Sequence, residues 1–311
     1  MAGAIAGTAI LYGPQEKTSR LHTVTLTINN ICDGECPHCY LQYEGRKGIL
    51  SEENAEKILN SDFNHLAIVG KEPCLSPDMV EFLAKENSKR GRKTSIVTSG
   101  ISLDKLSKEA LTSLNYIDVS FDGGPDTYRK RRGLDFKKVI TNLEEASKYL
   151  AKTNFNALHT IYRENLDSLD DMMQVQEAFS FGKIAFSIYK VPYNQGSISV
   201  SRASLMKEVI PVLAGSSAFR DSPRSVLLVS SADLTSANED DFLSEVNRQG
   251  LEDKVRYIDN PLDYGFIRVT YDGKVLTPYD AIHTVLYDVK GFSLNDFKSL
   301  NEIVEQMHRE K

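Results

Sequence analysis

The chain has 311 residues, of which 41% are hydrophobic and 26% charged, and this composition excludes the disordered and fibrous classes. Its formal net charge of −6 argues against a general nucleic-acid binder, because neutralising phosphates requires clustered Lys and Arg. No stretch approaches the roughly 18 apolar residues of a membrane span, and residues 1–11 lack the basic lead of a secretory signal. A cytoplasmic protein with neither a membrane nor a nucleic-acid partner is therefore expected.

Six strand-helix units are predicted along the first two thirds of the chain. The strands are residues 23–29, 65–69, 94–98, 117–121, 156–161 and 183–191, and the helices open at Ser51, near Pro77, over 104–113 and 136–152, and near Asn165 and Ser201. This alternation is typical of parallel strands joined by crossover helices. Since no G-x-G-x-x-G follows any strand, the α/β pattern favours a partial (β/α)6 TIM-like barrel over an open nucleotide-binding sheet.

The pattern changes after residue 215, which predicts a barrel domain over residues 1–215 and a C-terminal α+β extension over residues 216–311. The extension contains a predicted strand over 225–230, a helix over 240–248, a hairpin over 265–276 and a final helix from about residue 295. The hairpin turns at Tyr271-Asp272-Gly273.

The strongest motif is a C-x3-C-x2-C run, formed by Cys32, Cys36 and Cys39 directly after the first strand. Loop thiolates at such short spacings can hold an iron-sulfur cluster. Three ligands for four irons leave one iron open, and an amine together with a carboxylate can bind there. The alternative is a zinc site, but zinc takes four ligands, usually as two pairs, and His38 is the one nearby candidate for the fourth.

The Cys run resembles the signature of the radical S-adenosylmethionine superfamily. Most members carry an aromatic residue before the last Cys, whereas here His38 stands there and Tyr40 follows. The resemblance implies a 4Fe-4S cluster on the three thiolates and S-adenosylmethionine on the open iron, with Tyr40 nearby. It further implies reductive cleavage to a 5′-deoxyadenosyl radical, which abstracts hydrogen from an unactivated C-H bond. An electron donor such as flavodoxin or ferredoxin would then be a partner.

Residues Gly70-Lys71-Glu72-Pro73 follow the second strand and look like the superfamily's G-G-E-P motif. The resemblance implies that this motif receives the methionyl amine, since glycine lets main chain approach a ligand and a carboxylate pairs with an ammonium group. Lys71 replaces the second glycine. Thr98 and Ser99 end the third strand where relatives often show T-N-G, and are expected to line the pocket.

Ser120 and Asp122 close the fourth strand in an S-x-D-G motif, which resembles the branch that includes sulfatase-maturing and peptide-modifying enzymes. By that likeness Ser120 contacts the ribose, and Asp122 either does the same or shapes the turn. Arg132 resembles the arginine of an R-G motif that pairs with the methionyl carboxylate through its fork. Arg129 is a competing choice, and a solvated basic face over residues 128–132 is the structural alternative.

Four further residues are candidates for the pocket or the substrate. Asn194 follows the sixth strand at the barrel mouth, where ordinary loop polarity explains it equally well. Cys74 could give a hydrogen atom to a substrate radical, although most free cysteines are small buried apolar groups. Tyr279 and Asp280 could transfer protons, Asp280 as a base, and a structural role is the alternative for both.

The extension echoes the auxiliary-cluster (SPASM) domain of that branch, yet no cysteine occurs after Cys74. A degenerate SPASM-like domain without a cluster is therefore expected, and this favours epimerisation, rearrangement or elimination over net oxidation. From the roughly 22 residues before the first strand, no fused leader-binding domain is expected. We expect a peptide or small-molecule natural product as substrate; a sugar, cyclitol or amino acid is the alternative. An iron-sulfur electron carrier or sensor without radical chemistry is the rival class.

Overall fold

The computed structural model describes residues 11–14, 16–36, 39, 48–188, 205–230, 239–276 and 291–309. These residues form one sheet of eleven strands. The strands are β1 (Thr18–Thr27), β2 (His65–Val69), β3 (Lys93–Thr98), β4 (Tyr116–Phe121), β5 (Phe155–Ile161), β6 (Lys183–Ile188), β7 (Ser225–Ser230), β8 (Val255–Ile258), β9 (Tyr264–Val269), β10 (Lys274–Leu276) and β11 (Phe292–Ser293).

The strand order across the sheet is β11-β10-β9-β1-β2-β3-β4-β5-β6-β7-β8. Every neighbouring pair from β9 through β1 to β8 is parallel, whereas the pairs β9–β10 and β10–β11 at one edge are antiparallel. The sheet does not close on itself, since β8 and β11 are its two edges. The predicted TIM-like partial barrel is confirmed, and all six predicted strands are present.

Ten α-helices lie among the described residues and cover the outer face of the sheet. They are α1 (Glu52–Leu59), α2 (Pro77–Lys89), α3 (Lys108–Ser113), α4 (Pro125–Arg132), α5 (Phe136–Ala146), α6 (Asp171–Ala178), α7 (Ile210–Gly215), α8 (Ser217–Arg220), α9 (Glu239–Arg248) and α10 (Leu300–Arg309). Alternate strand residues such as Leu26, Ile68 and Ile117 are fully buried against them in the main hydrophobic core. No helix in the described ranges has the length and apolarity to cross a membrane.

Local capping accounts for where several helices begin and end. The predicted start at Ser51 is correct, because its hydroxyl accepts the Asn54 N–H at 3.2 Å. The helix predicted over 104–113 begins only at Lys108, because Ser107 caps it by accepting the Ala110 N–H at 3.0 Å. The prediction for 136–152 was too long: α5 ends at Ala146, and the Ser147 hydroxyl donates to the Glu144 carbonyl at 2.7 Å.

Helix α4 was not predicted, because its sequence is strongly polar and carries one large apolar residue, Tyr128. Two signals for it were present nonetheless. Pro125 occupies the first helical position, and Gly133 ends the helix with a left-handed φ of 67°. The helix fixes the direction of Arg132, its last residue.

The N-terminal end of the barrel is occupied by Tyr12. Its ring stacks on Tyr116 at 4.5 Å, and its hydroxyl donates to Asp118. Asn156 donates to the same Asp118 oxygen at 2.8 Å, and burial raises the pKa of this carboxyl to about 6. Asp118, although part of the strand that leads to Ser120, therefore belongs to the opposite half of the barrel from the Cys run.

Strands β7, β8 and β9, which follow residue 216, belong to the same parallel sheet as β1 to β6. Strand β7 pairs with β6, β8 with β7, and β9 with β1. The predicted hairpin over 265–276 is present as β9 and β10. The sequence did not predict that β9 also pairs with β1, because a hairpin is a local pattern whereas β1 and β9 lie far apart in the chain. The domain boundary at 215/216 stays a prediction.

The pairing of β9 with β1 contains an irregularity at Gly265. Thr18 pairs with Tyr264 and Thr23 with Phe266, so β1 bulges between these two pairs. Gly265 has a φ of +69°, and a Cβ placed on it would lie 2.1 Å from the Arg20 carbonyl oxygen. Only glycine fits there, since both the backbone angle and the space exclude a side chain.

Replacing Gly265 by alanine is expected to lower the free energy of unfolding by about 3 kcal/mol, from left-handed backbone strain plus a main-chain clash. Gly91 is the matched control, since its φ is +70° and a Cβ added to it would have no atom within 4 Å. Gly91→Ala should therefore cost only about 1 kcal/mol. Urea unfolding of the two variants measures the difference, and equal losses would contradict the role given to the Arg20 contact.

Candidate functional site

The described cofactor candidates lie at or just after the carboxyl ends of β1 to β4. The Cys run follows β1, the Gly70-Lys71-Glu72-Pro73 segment follows β2, Thr98 and Ser99 end β3, and Ser120 and Asp122 end β4. The carboxyl ends of parallel strands meet at one rim of a barrel. The fold therefore brings together residues that are up to 90 positions apart in the sequence.

Two of the three thiols in the Cys run are buried. Cys36 is 5% and Cys39 8% exposed, whereas Cys32 is partly exposed. The Cys39 N–H donates to the Cys36 carbonyl at 3.0 Å, and the Gly34 N–H donates to the Cys32 sulfur at 3.3 Å. Burial raises the pKa of Cys32 to about 12, a rise that the Gly34 N–H moderates.

The residues of this loop fit an iron-sulfur cluster. Soft thiol sulfurs are its ligands, and each binds a different iron, so the three need not converge on one point. A thiol that burial keeps protonated loses its proton on metal binding, and a nearby N–H or cation then stabilises the bound thiolate. Gly34 supplies such a donor to Cys32. His38 and Tyr40 lie outside the described residues.

Glu72 is fully buried, and both oxygens of its carboxylate accept hydrogen bonds from other residues of the protein. Oε1 accepts the Thr98 hydroxyl at 2.7 Å and the Cys74 N–H at 3.1 Å. Oε2 accepts the Ser99 hydroxyl at 2.5 Å and the Ser99 N–H at 2.8 Å. Glu72 therefore joins the loop after β2 to the end of β3. Its predicted contact with the methionyl amine stays a prediction, as do the pocket-lining roles of Thr98 and Ser99.

Asn29, which the sequence did not indicate as a site residue, also holds this loop in place. Its Nδ2 donates to the Glu72 carbonyl at 3.0 Å and to the Ser76 hydroxyl at 2.9 Å. Gly70 packs so closely on Asn29 that an added Cβ would lie 2.7 Å from Asn29 Oδ1. Lys71, in the place of the motif's second glycine, is partly exposed, and Pro73 opens a short 3-10 turn. The sequence signal that could have indicated Asn29 was an asparagine at the end of the strand predicted over residues 23–29.

Arg132 forms a buried ion pair with Asp122. Its Nε lies 2.7 Å from Asp122 Oδ2, and its Nη2 donates to Oδ1 at 3.2 Å. Its remaining nitrogen, Nη1, points at the Cys36 sulfur at 3.9 Å. Burial disfavours the charge, but Asp122 and Cys36 raise the pKa of Arg132 above its ordinary value. Its predicted pairing with the methionyl carboxylate stays a prediction, and Arg129 is exposed.

Ser120 is 2% exposed, and its hydroxyl has no hydrogen-bond partner among the described residues. It lies on β4 two positions before Asp122, on the strand face opposite the core residues Val119 and Phe121. A buried hydroxyl without a partner is costly unless a ligand or water completes it. This atom therefore fits the predicted contact with a ribose hydroxyl, which stays a prediction.

Cys74 is fully buried in the main core, and its sulfur contacts the Thr98 hydroxyl at 3.4 Å. Burial raises the pKa of its thiol well above the ordinary value. It thus lies beneath the Glu72 carboxylate, and its role as a hydrogen-atom donor remains a prediction. Asn194, Tyr279 and Asp280 lie outside the described residues.

Known proteins resemble this chain in sequence and in fold. The family model described as Radical SAM superfamily matches residues 26–175. A probable GTP 3′,8-cyclase of Saccharolobus islandicus (strain Y.N.15.51) is 32% identical over 134 residues, which are 40% of this chain and 44% of that protein. The chain thus spans less than half the length of the curated relatives it matches.

Two solved structures share the fold. SuiB of Streptococcus suis, bound to S-adenosylmethionine, aligns with a TM-score of 0.60 at 13% identity, over 92% of this chain and 65% of that one. The structure of anSMEcpe with bound AdoMet aligns with a TM-score of 0.55 at 18% identity, over 90% and 79%. At these identities the likeness concerns the fold alone.

Proposed function

Residues 26–175 form a radical SAM domain, whose cofactors are a 4Fe-4S cluster and S-adenosylmethionine, and on this premise we propose the activity of the whole chain. The enzyme cleaves S-adenosylmethionine reductively and uses the resulting 5′-deoxyadenosyl radical to abstract hydrogen from an unactivated C-H bond of a peptide or natural product. A small iron-sulfur or flavin protein, such as ferredoxin or flavodoxin, supplies the electron. One observation carries this proposal: three thiols on the loop after β1, inside the matched domain.

The chain's own residues bind the two cofactors, orient them and enclose the site. Cys32, Cys36 and Cys39 would hold the cluster, and the cofactor pair supplies the radical chemistry when bound. The Gly70-Lys71-Glu72-Pro73 segment offers main chain at the rim, kept in place by the Asn29 and Glu72 hydrogen bonds. Ser120 offers its free hydroxyl to the ribose. Positioning of this kind is the protein's contribution to such a reaction, together with the exclusion of water.

The proposal is tested by anaerobic reconstitution with iron and sulfide, followed by reduction in the presence of S-adenosylmethionine. We expect about four irons and four sulfides per chain and the formation of 5′-deoxyadenosine. One zinc per chain without sulfide would instead identify the zinc-binding alternative. A 4Fe-4S cluster that never cleaves S-adenosylmethionine would favour the electron carrier or sensor.

For the substrate, two observations support peptide modification. The motif from Ser120 to Gly123 resembles that of peptide-modifying enzymes, and SuiB, whose fold is similar, has been solved bound to its precursor peptide SuiA. Cytoplasmic location stays a prediction.

A nucleotide is the second candidate substrate, because the curated relative at 32% identity is named a probable GTP 3′,8-cyclase. Incubation of the reduced, reconstituted enzyme with GTP and S-adenosylmethionine decides between the two classes. Consumption of GTP in step with 5′-deoxyadenosine would establish the nucleotide, whereas unchanged GTP would leave the peptide or natural product as the better candidate.

A further inference from the structure

The buried guanidinium of Arg132 divides its nitrogens between a carboxylate and a cysteine sulfur. Nε and Nη2 face the carboxylate of Asp122 at 2.7 and 3.2 Å, and Nη1 faces the Cys36 sulfur at 3.9 Å. The side chain of Arg132 is 1% exposed and that of Asp122 is 0% exposed. Water therefore screens these charges little, and their effect on the neighbouring sulfur is larger than at a surface.

The guanidinium is a buried positive charge beside Cys36, since its Nη1 lies 3.9 Å from the sulfur. Asp122, a negative charge, pairs with the edge of the guanidinium that Nε and Nη2 form. The two members of the ion pair thus act on this sulfur with opposite sign. Arginine suits this place because its planar fork can pair with a carboxylate while a third nitrogen points elsewhere.

We propose that Arg132 sets the reduction potential of the cluster through its hydrogen bond to the Cys36 sulfur, and that Asp122 holds the guanidinium in place and moderates its effect. The inference rests on the proposed function, since it requires the cluster. Adding an electron makes the cluster more negative, so a nearby cation stabilises the reduced form and a nearby anion destabilises it. Hydrogen bonds and net charge around the sulfurs are among the properties by which proteins set cluster potentials.

The test is an EPR-monitored redox titration of the reconstituted enzyme without S-adenosylmethionine. Arg132→Gln should shift the midpoint to more negative values, lowering the reduced-to-oxidised ratio at a fixed potential at least tenfold, or about 59 mV for one electron. Asp122→Asn should shift it in the opposite direction by a smaller amount. Arg129→Gln is the control: Arg129 lies on the same helix, is exposed and has no ion pair with a described residue, so its midpoint should match that of the wild type.

Shifts of opposite sign distinguish tuning from structural damage, because a distorted site would change both variants alike. Arg132→Gln removes the charged partner of the buried Asp122 carboxylate and could prevent folding. In that case Asp122→Asn and the charge-retaining Arg132→Lys decide. The proposal is supported if the midpoint of Asp122→Asn shifts to more positive values and the reduced-to-oxidised ratio of Arg132→Lys at a fixed potential stays within twofold of the wild-type ratio. Unchanged midpoints in both Arg132→Gln and Asp122→Asn, or shifts of the same sign, overturn it.

If the cluster forms and cleaves S-adenosylmethionine while the midpoints stay fixed, only this inference fails. A wild type that binds no cluster overturns both this inference and the proposed function.

Discussion

Alanine in place of Cys32, Cys36 or Cys39, one at a time, is expected to abolish formation of the 4Fe-4S cluster and to lower 5′-deoxyadenosine production more than about 100-fold. Losing one of three protein ligands leaves two irons without a thiolate, which is a larger defect than the loss of an outer-shell partner, itself worth about 10- to 100-fold. Iron and sulfide analysis after reconstitution, with the visible absorption of the cluster, measures the first effect. Anaerobic turnover with dithionite measures the second.

Cys74→Ala is the matched control within the same chain. Cys74 contacts Thr98 in the main core, so its loss should cost about 1 kcal/mol of stability and leave the cluster intact. Retained cleavage with an altered product would support its predicted role as a hydrogen-atom donor. Loss of the cluster in this variant alone, with the three loop variants still loaded, would contradict the ligand assignment.

The second large effect is expected at Glu72. Glu72→Leu should lower the free energy of unfolding of the cluster-free chain by about 4 kcal/mol, taking about 2 kcal/mol for each main-chain N–H left without an acceptor. These are the N–H groups of Cys74 and Ser99. The Thr98 and Ser99 hydroxyls lose their acceptor too, but a hydroxyl can rotate toward another hydrogen-bond acceptor. Urea denaturation of the cluster-free protein isolates this effect from any loss of cofactor.

Glu145→Leu serves as the control, because Glu145 lies on α5 with a 65% exposed side chain and, among the described residues, forms an ion pair only with Lys148 at the surface. Its change in stability should stay within about 0.5 kcal/mol. If Glu72→Leu were equally mild, the carboxylate would not be the group that joins the ends of β2 and β3, and a role toward the ligand would become its main one.

The sequence predicted the strands well where their apolar residues are continuous. Residues 65–69 and 225–230 match β2 and β7 at both ends. It could not predict how β9 pairs, because the hairpin over 265–276 accounts for the local pattern while the contact with β1 depends on residues about 240 positions earlier. It likewise treated residues 128–132 as a basic stretch, whereas the polar helix α4 buries Arg132 against Asp122.

The sequence predicted which strand ends carry the candidate residues, but not the contacts between those residues. The Cys run, the segment from Gly70 to Pro73 and the pair of Ser120 and Asp122 do lie at one rim, as the strand ends require. Spacing in the sequence could not indicate that Glu72 bonds to Thr98 and Ser99, or that the fork of Arg132 pairs with Asp122. Such contacts depend on side-chain directions after packing, and the sequence carries no local signal for them.

The central place of β1 also affects the order in which the molecule can be completed during synthesis. β1 lies between β2 and β9, and β9 begins 237 residues after β1 ends. At translation rates of 5 to 20 residues per second, β1 would wait roughly 10 to 50 s for its second neighbour. Until then one edge of the strand that leads into the Cys run stays open to pairing with other chains. The strand that leads into the Cys run is therefore among the last parts of the sheet to gain both of its neighbours.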